Sequence, residues 1–255
     1  MPPSLRDRLA FRAAVLASTR AFFEARGSVE VETPALVPCP GVDAHLDAIP
    51  AAPSLGPRFL TTSPEYHMKR LLAAGAGAIH QLGKAWRDGE VGRLHEPEFT
   101  LLEWYRPDAD DAALMDETEA LVRTLAGRFS GGFLRHRGGA ARCGEGDPPF
   151  ERITFDEAFA RCSLDAATES PARLGRMLRA AGVKPPGGAS GEELLDLVLA
   201  LVIQPKLGLD VPCFVTDWPA DRAALARLRP TPRGPRAARF ELYACGVELC
   251  NGYHE

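Results

Sequence analysis

Residues 61–107 read TTSPEYHMKRLLAAGAGAIHQLGKAWRDGEVGRLHEPEFTLLEWYRP. Ser63 followed by Pro64 is a helix start, and the spacing predicts a short helix, a strand over 79–87, a polar loop and a returning strand over 98–105. The result is a long-looped antiparallel hairpin. On the returning strand Phe99, Leu101, Glu103 and Tyr105 share one face, while Glu98, Thr100, Leu102 and Trp104 share the other. Glu103 then sits on the inward face between Leu101 and Tyr105. An unpaired carboxylate there costs several kcal/mol, so the acid calls for a cationic partner.

The loop between the strands adds Arg87, Glu90, Arg93 and His95. These donors and charges suit a polyphosphate lying over the Phe99 ring. A ring, arginines and nearby acids together describe a nucleotide and amine site. The same residue types also describe a solvated surface hairpin, and composition alone leaves both readings open.

Trp86-Arg87 and the run Gly92-Arg93-Leu94-His95-Glu96-Pro97-Glu98-Phe99-Thr100-Leu101-Leu102-Glu103-Trp104-Tyr105 resemble motif 2 of class II lysyl-tRNA synthetases. The preceding Ser63-Pro64-Glu65-Tyr66-His67-Met68-Lys69-Arg70-Leu71-Leu72 is most similar to the elongation factor P lysyltransferase branch of that family. The similarity extends over nearly the whole chain. It implies an α+β fold, an antiparallel sheet flanked by helices, C-terminally incomplete. The implied catalytic domain covers 1–255, with motif 1 near 29–46, motif 2 near 80–106 and a glutamate-rich hairpin at 239–255. A homodimer joined through motif 1, ATP and Mg²⁺ as cofactors, and lysine or (R)-β-lysine as substrate follow from the resemblance. So does a lysine side chain of elongation factor P as acyl acceptor.

The resemblance also implies roles, position by position. Arg87 matches the catalytic arginine that holds the α-phosphate and the substrate carboxylate. Phe99 matches the adenine-stacking ring, His95 a group near the nucleotide phosphates, and Glu90 neighbours the nucleotide-contacting position. Glu65 matches the α-amino ligand; Glu103, Tyr105 and Glu255 match the groups around the ε-ammonium, and Asn251 a polar contact in the same pocket. Glu241 and Glu248 match the metal ligands, hard oxygen donors suited to Mg²⁺. Read without the resemblance, that last pair is a solvated couple on a β-hairpin.

A chain of 255 residues can bury a sizeable core as one large domain. Its net charge of −4 and pI near 5.9 argue against a general nucleic-acid surface. Lysine occurs only at Lys69, Lys84, Lys184 and Lys206. Cys39, Cys143, Cys162, Cys213, Cys245 and Cys250 form no CxxC pair and follow no signal peptide, which reads as reduced thiols in a cytoplasmic protein. No apolar run approaches the roughly 20 residues that cross a bilayer.

Along the chain, Ser4 caps a helix running to about Arg26, with Phe11, Val15 and Phe22 at helical spacing and Gly27 to end it. No residues precede it to build an anticodon-binding domain, so anticodon-dependent tRNA binding is not expected. Val29-Glu30-Val31-Glu32-Thr33-Pro34 reads as a short strand closed by proline. Val42-Asp43-Ala44-His45-Leu46 also matches the lysyltransferase pattern, but a lone histidine is more often structural, and His45 stays outside the site. Asp110 or Asp111 starts a helix with an apolar stripe of Leu114, Leu121, Val122 and Leu125 before Gly127. Residues 130–149, rich in Gly, Arg and Pro, read as a mobile surface loop. Thr154-x-x-Glu157 and Ser190-x-x-Glu193 have capping-box spacing, separated by the breaker Pro185-Pro186-Gly187-Gly188. Residues 213–219 read as a strand, and 239–255 as a hairpin turning at Cys245-Gly246. Asn251 falls out of alternation with Glu248, which places a bulge at Gly252.

Three departures stand out. Gly89 occupies the position where motif 2 carries a nucleotide-contacting glutamate, Glu96 replaces the usual asparagine before Pro97, and no motif 3 follows Glu255. The readings to weigh are therefore a lysyltransferase acting on elongation factor P, a tRNA-charging enzyme, and a catalytically silent binding module.

Overall fold

The computed structural model describes residues 3–41, 46–51, 54 and 56–255. The segment containing His45 lies outside them. The chain forms two compact units, Met1–Asp108 and Ala109–Glu255.

The first unit opens with α1 (Leu5–Glu24), whose N-terminus carries a reciprocal Ser4 and Asp7 capping box. Strands β1 (Val29–Glu30), β2 (Leu36–Val37), β3 (Pro50–Ala51) and β4 (Arg58–Leu60) are short. Helix α2 (Glu65–Ala73) leads into β5 (Ile79–Trp86) and β6 (Glu98–Tyr105). The last two form the expected antiparallel hairpin, in register from Ile79 opposite Tyr105 to Trp86 opposite Glu98, and β1 joins β5 in parallel. Strands β2, β4 and β3 make a separate small sheet.

Residues opposite one another in a ladder share a face. One face of the hairpin therefore carries His80, Leu82, Thr100 and Trp104, and it lies against α1: Phe23 stacks on His80 at 4.9 Å and tilts against Trp104 at 5.3 Å. Arg12 of the same helix donates to Thr100. The apolar stripe expected of α1 is shifted: Phe22 and Phe23 are buried, but Phe11 is 55% exposed.

The second unit begins with α3 (Asp111–Ser130), capped by Asp110. It runs through Gly127 and ends at Gly131, whose φ of 64° is the left-handed cap; an interior glycine weakens a helix by only about 1 kcal/mol and need not stop it. Residues 130–149 are not a plain loop. They contain β7 (Phe133–His136) and β8 (Gly139–Arg142), joined by a two-residue turn with positive φ at Arg137 and Gly138. Strand β9 (Glu151–Thr154), helices α4 (Phe155–Ala160), α5 (Pro171–Ala180) and α6 (Gly191–Val198) follow, then β10 (Cys213–Pro219), β11 (Leu228–Arg229), β12 (Arg236–Ala244) and β13 (Val247–Tyr253). Both capping boxes read from the sequence form, at α4 and α6.

Strand β12 is central, pairing antiparallel with β10, β11 and β13, while β9 runs parallel to β10. Both faces of this sheet are covered. Cys213, Val215, Ala237 and Tyr243 join a core with Phe155, Phe159 and the helices; Phe214, Phe240 and Leu242 join a second with Met115 and Phe150. That is why β12 does not read as a simple alternation of apolar and polar residues. A bulge at Asp217 (φ 55°) shifts the β10 register between Thr216 and Trp218. It brings Trp218 onto the face of Val215, three residues earlier. The displaced Asp217 carboxylate holds Arg229, which also pairs with buried Asp111. All six cysteines are free.

His80 is fully buried, with Nδ1 3.0 Å from the Ser28 hydroxyl and Nε2 without a partner among the described residues. Burial pushes its pKa below the ordinary value, partly opposed by Glu30 and Glu24. The unfolded chain then takes up this proton more readily, so stability is full above the ordinary histidine range and falls as pH drops through it. Melting temperature followed from pH 7.5 to 5.5 is expected to fall in the wild type and to fall less in His80→Asn; parallel curves would overturn this assignment.

Candidate functional site

In the first unit, the face of the hairpin turned away from α1 carries Gln81, Gly83 and Ala85 on β5 and Phe99, Leu101, Glu103 and Tyr105 on β6. The alternation read from the sequence is thus observed. Glu103 is half-buried, but its hydrogen bonds come from hydroxyls rather than from a cation: Ser63 Oγ donates to Oε2 and Tyr105 Oη to Oε1, both at 2.8 Å. Burial pushes the Glu103 carboxyl above the usual carboxylate range; these two bonds and Lys69 oppose it, and the Glu65 charge adds to it.

Ser63 is not the cap of α2: Pro64 holds that position with no side-chain cap bond, and the Ser63 hydroxyl instead accepts from the Glu65 backbone N–H at 3.1 Å. Glu65 heads α2, where Lys69, one turn on, reaches its Oε1 at 2.6 Å. Glu65, Glu103 and Tyr105 are therefore linked through Ser63 and by charge. Lys69 was not singled out from the sequence, although its i,i+4 spacing from Glu65 on a helix signals the pair.

At the far end of the same strands, Arg87 follows β5. Its guanidinium carbon lies 5.0 Å from the Phe99 ring centroid, its Nη1 lies 3.7 Å from Glu90 Oε1, and its Nε donates to the Thr62 carbonyl at 3.4 Å. Gly89 has φ of 72° and its N–H donates to Asp88 Oδ1. A side chain at that position would be strained, and Glu90 supplies the acid beside Arg87 instead. His95 is exposed in the loop; its carbonyl accepts from Gly92.

In the second unit the β12–β13 hairpin turns at Cys245-Gly246, both with positive φ. Its bulge falls at Leu249, not at Gly252: Leu242 pairs with Cys250 while Tyr243 pairs with Glu248. Gly252 has another purpose. It faces Phe240, and a Cβ there would come within 2.5 Å of that ring. Because of the bulge, Glu248 and Asn251, three residues apart, both lie across from the Glu241 face of β12. Glu241 is 6% exposed; Arg239 Nη2 donates to its Oε1 at 2.6 Å and Tyr243 Oη to its Oε2. Burial raises Glu241, with Arg239 opposing, and burial beside Glu241 raises Tyr243. Glu248, Asn251 and Glu255 are exposed. Burial pushes the Cys250 thiol up to about 12, so it is no nucleophile near neutral pH.

Among the described residues no group of three or more His, Cys, Asp or Glu converges into a metal cage. Mg²⁺, however, is commonly held by one or two carboxylates together with substrate phosphates. Glu241 and Glu248 offer hard oxygen donors of that kind on adjacent strands, the Glu241 oxygens being engaged by Arg239 and Tyr243. No helix among the described residues is long and apolar enough to cross a membrane.

A family model of tRNA synthetases class II (D, K and N) matches residues 1–255. Among curated relatives, a protein of Vibrio cholerae serotype O1 named "Elongation factor P--(R)-beta-lysine ligase" is 41% identical over 267 residues, covering 100% of this chain and 75% of the relative. Proteins of the same name from Photobacterium profundum and Yersinia enterocolitica are 38% and 40% identical, covering 100% and 96% of this chain and 75% and 72% of theirs.

Because the folded state favours protonated Glu103, this residue's contribution to stability diminishes as pH rises above the ordinary carboxylate range. Glu103→Gln is expected to raise the melting temperature by roughly 2 °C near pH 8 and by less near pH 5. Thermal melts at the two pH values check this; a lower melting temperature at pH 8 would mean that the carboxylate is stabilising.

Proposed function

The chain belongs to the class II tRNA synthetase family (D, K and N), and from that footing we propose that it activates lysine or (R)-β-lysine with ATP and transfers the acyl group to a lysine side chain of elongation factor P. The names of its relatives point to this acceptor. The observation that supports it most is the single sheet face that carries a half-buried carboxylate at Glu103 and, at the other end of the same strands, Arg87 beside Phe99.

In the first step a substrate carboxylate oxygen attacks the α-phosphorus of ATP, the adenylate forms and pyrophosphate leaves. Two anions must approach. Arg87 supplies a fixed positive charge for both, with donors already oriented and little reorganisation during reaction. The Phe99 ring offers a surface on which adenine stacks, and His95 and Glu90 flank the nucleotide. Glu241 and Glu248 are the residues that would hold Mg²⁺, which would supply charge neutralisation for departing phosphates.

On the first unit Glu65 takes one substrate ammonium and Glu103 with Tyr105 the other; the family resemblance assigns substrate contacts to Asn251 and Glu255 of the second unit. Lys69 holds the Glu65 carboxylate in place until substrate arrives. An uncharged side chain would leave the Glu103 charge without a cation, its two hydroxyl bonds notwithstanding, and polar pockets reject analogues lacking the partner group by roughly 10⁴–10⁵. In the second step the acceptor ε-amine attacks the acyl carbon and AMP departs. The catalytic unit we propose is a homodimer, consistent with Leu5, Leu9 and Val29 standing 64%, 59% and 58% exposed near the start of the chain.

Lysine-dependent ATP–pyrophosphate exchange on the 255-residue chain, with L-lysine and (R)-β-lysine compared, tests the reading. Exchange is expected, with a loss of about 10²–10³ in Arg87→Ala. Label from the amino acid is expected on elongation factor P and not on tRNA. Absence of exchange in folded protein would overturn the ligase reading, and label on tRNA would move the acceptor from protein to RNA.

A further inference from the structure

Gln81 lies on the same face of the β5–β6 hairpin as Glu103, directly across the ladder from it, and is only 8% exposed. Its Oε1 accepts from the Thr33 backbone N–H at 2.9 Å. A backbone N–H only donates, so the oxygen is the atom turned to Thr33 and the NH₂ is the other end of the amide. That end lies along the strand. A Cβ built at Gly83 would stand 3.2 Å from Nε2, with Gln81 Cγ and Cδ the next nearest atoms at 3.7 and 3.8 Å. The Gly83 backbone is not left-handed; the glycine makes room for the amide rather than for a turn. Among the described residues the Gln81 NH₂ has no acceptor. A nearly buried donor of this kind calls for an acceptor from outside the chain.

The place of that donor tells what it addresses. Successive residues on one face of a strand are about 6.6 Å apart. Glu103 stands in the row of Gln81, Nε2 lies over the next row, that of Gly83 and Leu101, and Phe99 stands in the row beyond. The Arg87 guanidinium carbon lies 5.0 Å from the Phe99 ring centroid. About one row therefore separates Nε2 from the ring beside which Arg87 lies. A carboxylate that accepts from a donor on each side spans roughly 8 Å between them. A lysine laid along the face with an ammonium at Glu103 brings its carboxylate to that row, and an amide NH₂ answers an oxygen rather than an ammonium. We infer that Gln81, fixed by Thr33 and given room by Gly83, is a second donor to the substrate carboxylate, facing it across from Arg87. The inference rests on the lysine-activating role proposed above and adds one contact to that site, within the first unit alone.

Gln81→Met keeps the length of the side chain and removes both ends of the amide. Calorimetric titration of the 255-residue chain compares L-lysine with lysinol, which carries the ammonium groups but no carboxylate. Gln81→Met is expected to weaken L-lysine roughly tenfold to a hundredfold and lysinol by less than about twofold, the loss of one hydrogen bond to a charged group. Equal weakening of both ligands, or unchanged L-lysine binding, overturns the inference and leaves the lysine reading standing. Gly83→Ala keeps the Thr33 bond and pushes Nε2 aside. It is expected to show the same ligand preference at smaller size, and it decides the matter if Gln81→Met folds poorly. Wild-type protein that binds neither ligand would overturn the lysine reading, and this inference with it.

Discussion

The pairing register of β5 with β6 is the constraint on which the first unit depends. Ile79 opposite Tyr105 and His80 opposite Trp104 fix which side chains meet α1 and which remain for chemistry. A slip of one residue would exchange the faces. It would put Glu103 against the Phe23 ring and turn His80 and Trp104 outward. The packing of Phe23 on His80 and Trp104 is thus the energetic reason that Glu103, Phe99 and Tyr105 occupy the other side. Burial on one face specifies function on its reverse.

The second unit solves a related problem by breaking its register. Two bulges, at Asp217 and Leu249, move Trp218 and the pair of Glu248 and Asn251 onto the face that carries Arg239 and Glu241. A perfectly regular sheet would scatter these groups over both sides. The cost of the Asp217 backbone, at φ of 55°, is offset by an ion pair to Arg229, which also ties down buried Asp111. Charge here organises the strands, and the apolar clusters on either side hold the result in place.

Much of this was legible in the residues. Capping boxes at Thr154 and Ser190, the Cys245-Gly246 turn and the 79–105 hairpin depend on local chemistry, and local chemistry is written in short windows. What was not legible depends on partners far along the chain. The 130–149 segment looks like a loop because its strands are short and rich in glycine and arginine, and only the ladder between them reveals the hairpin. The bulge position follows from pairing, so Gly252 drew it wrongly; that glycine makes room for the Phe240 ring. Glu103 pointed to a cation because a carboxylate between apolar neighbours needs an answer. The two hydroxyls that answer it come from Tyr105, two residues away, and from Ser63, forty residues earlier in sequence. Arg239 and Lys69 escaped notice because each is an ordinary basic residue until its neighbours are in place.

Gly89 has a consequence for how this sequence can change over generations. Its left-handed backbone is tied to the Asp88 side chain, and any residue with a Cβ would pay about 1–3 kcal/mol to sit there. A glutamate at that position, which the motif 2 resemblance implies, is therefore uphill unless the loop is remodelled first. Glu90, already beside Arg87, carries the acid meanwhile and so becomes harder to lose. Substitutions at 89 and 90 are therefore coupled: the strain at one and the Arg87 partner at the other share a single short loop.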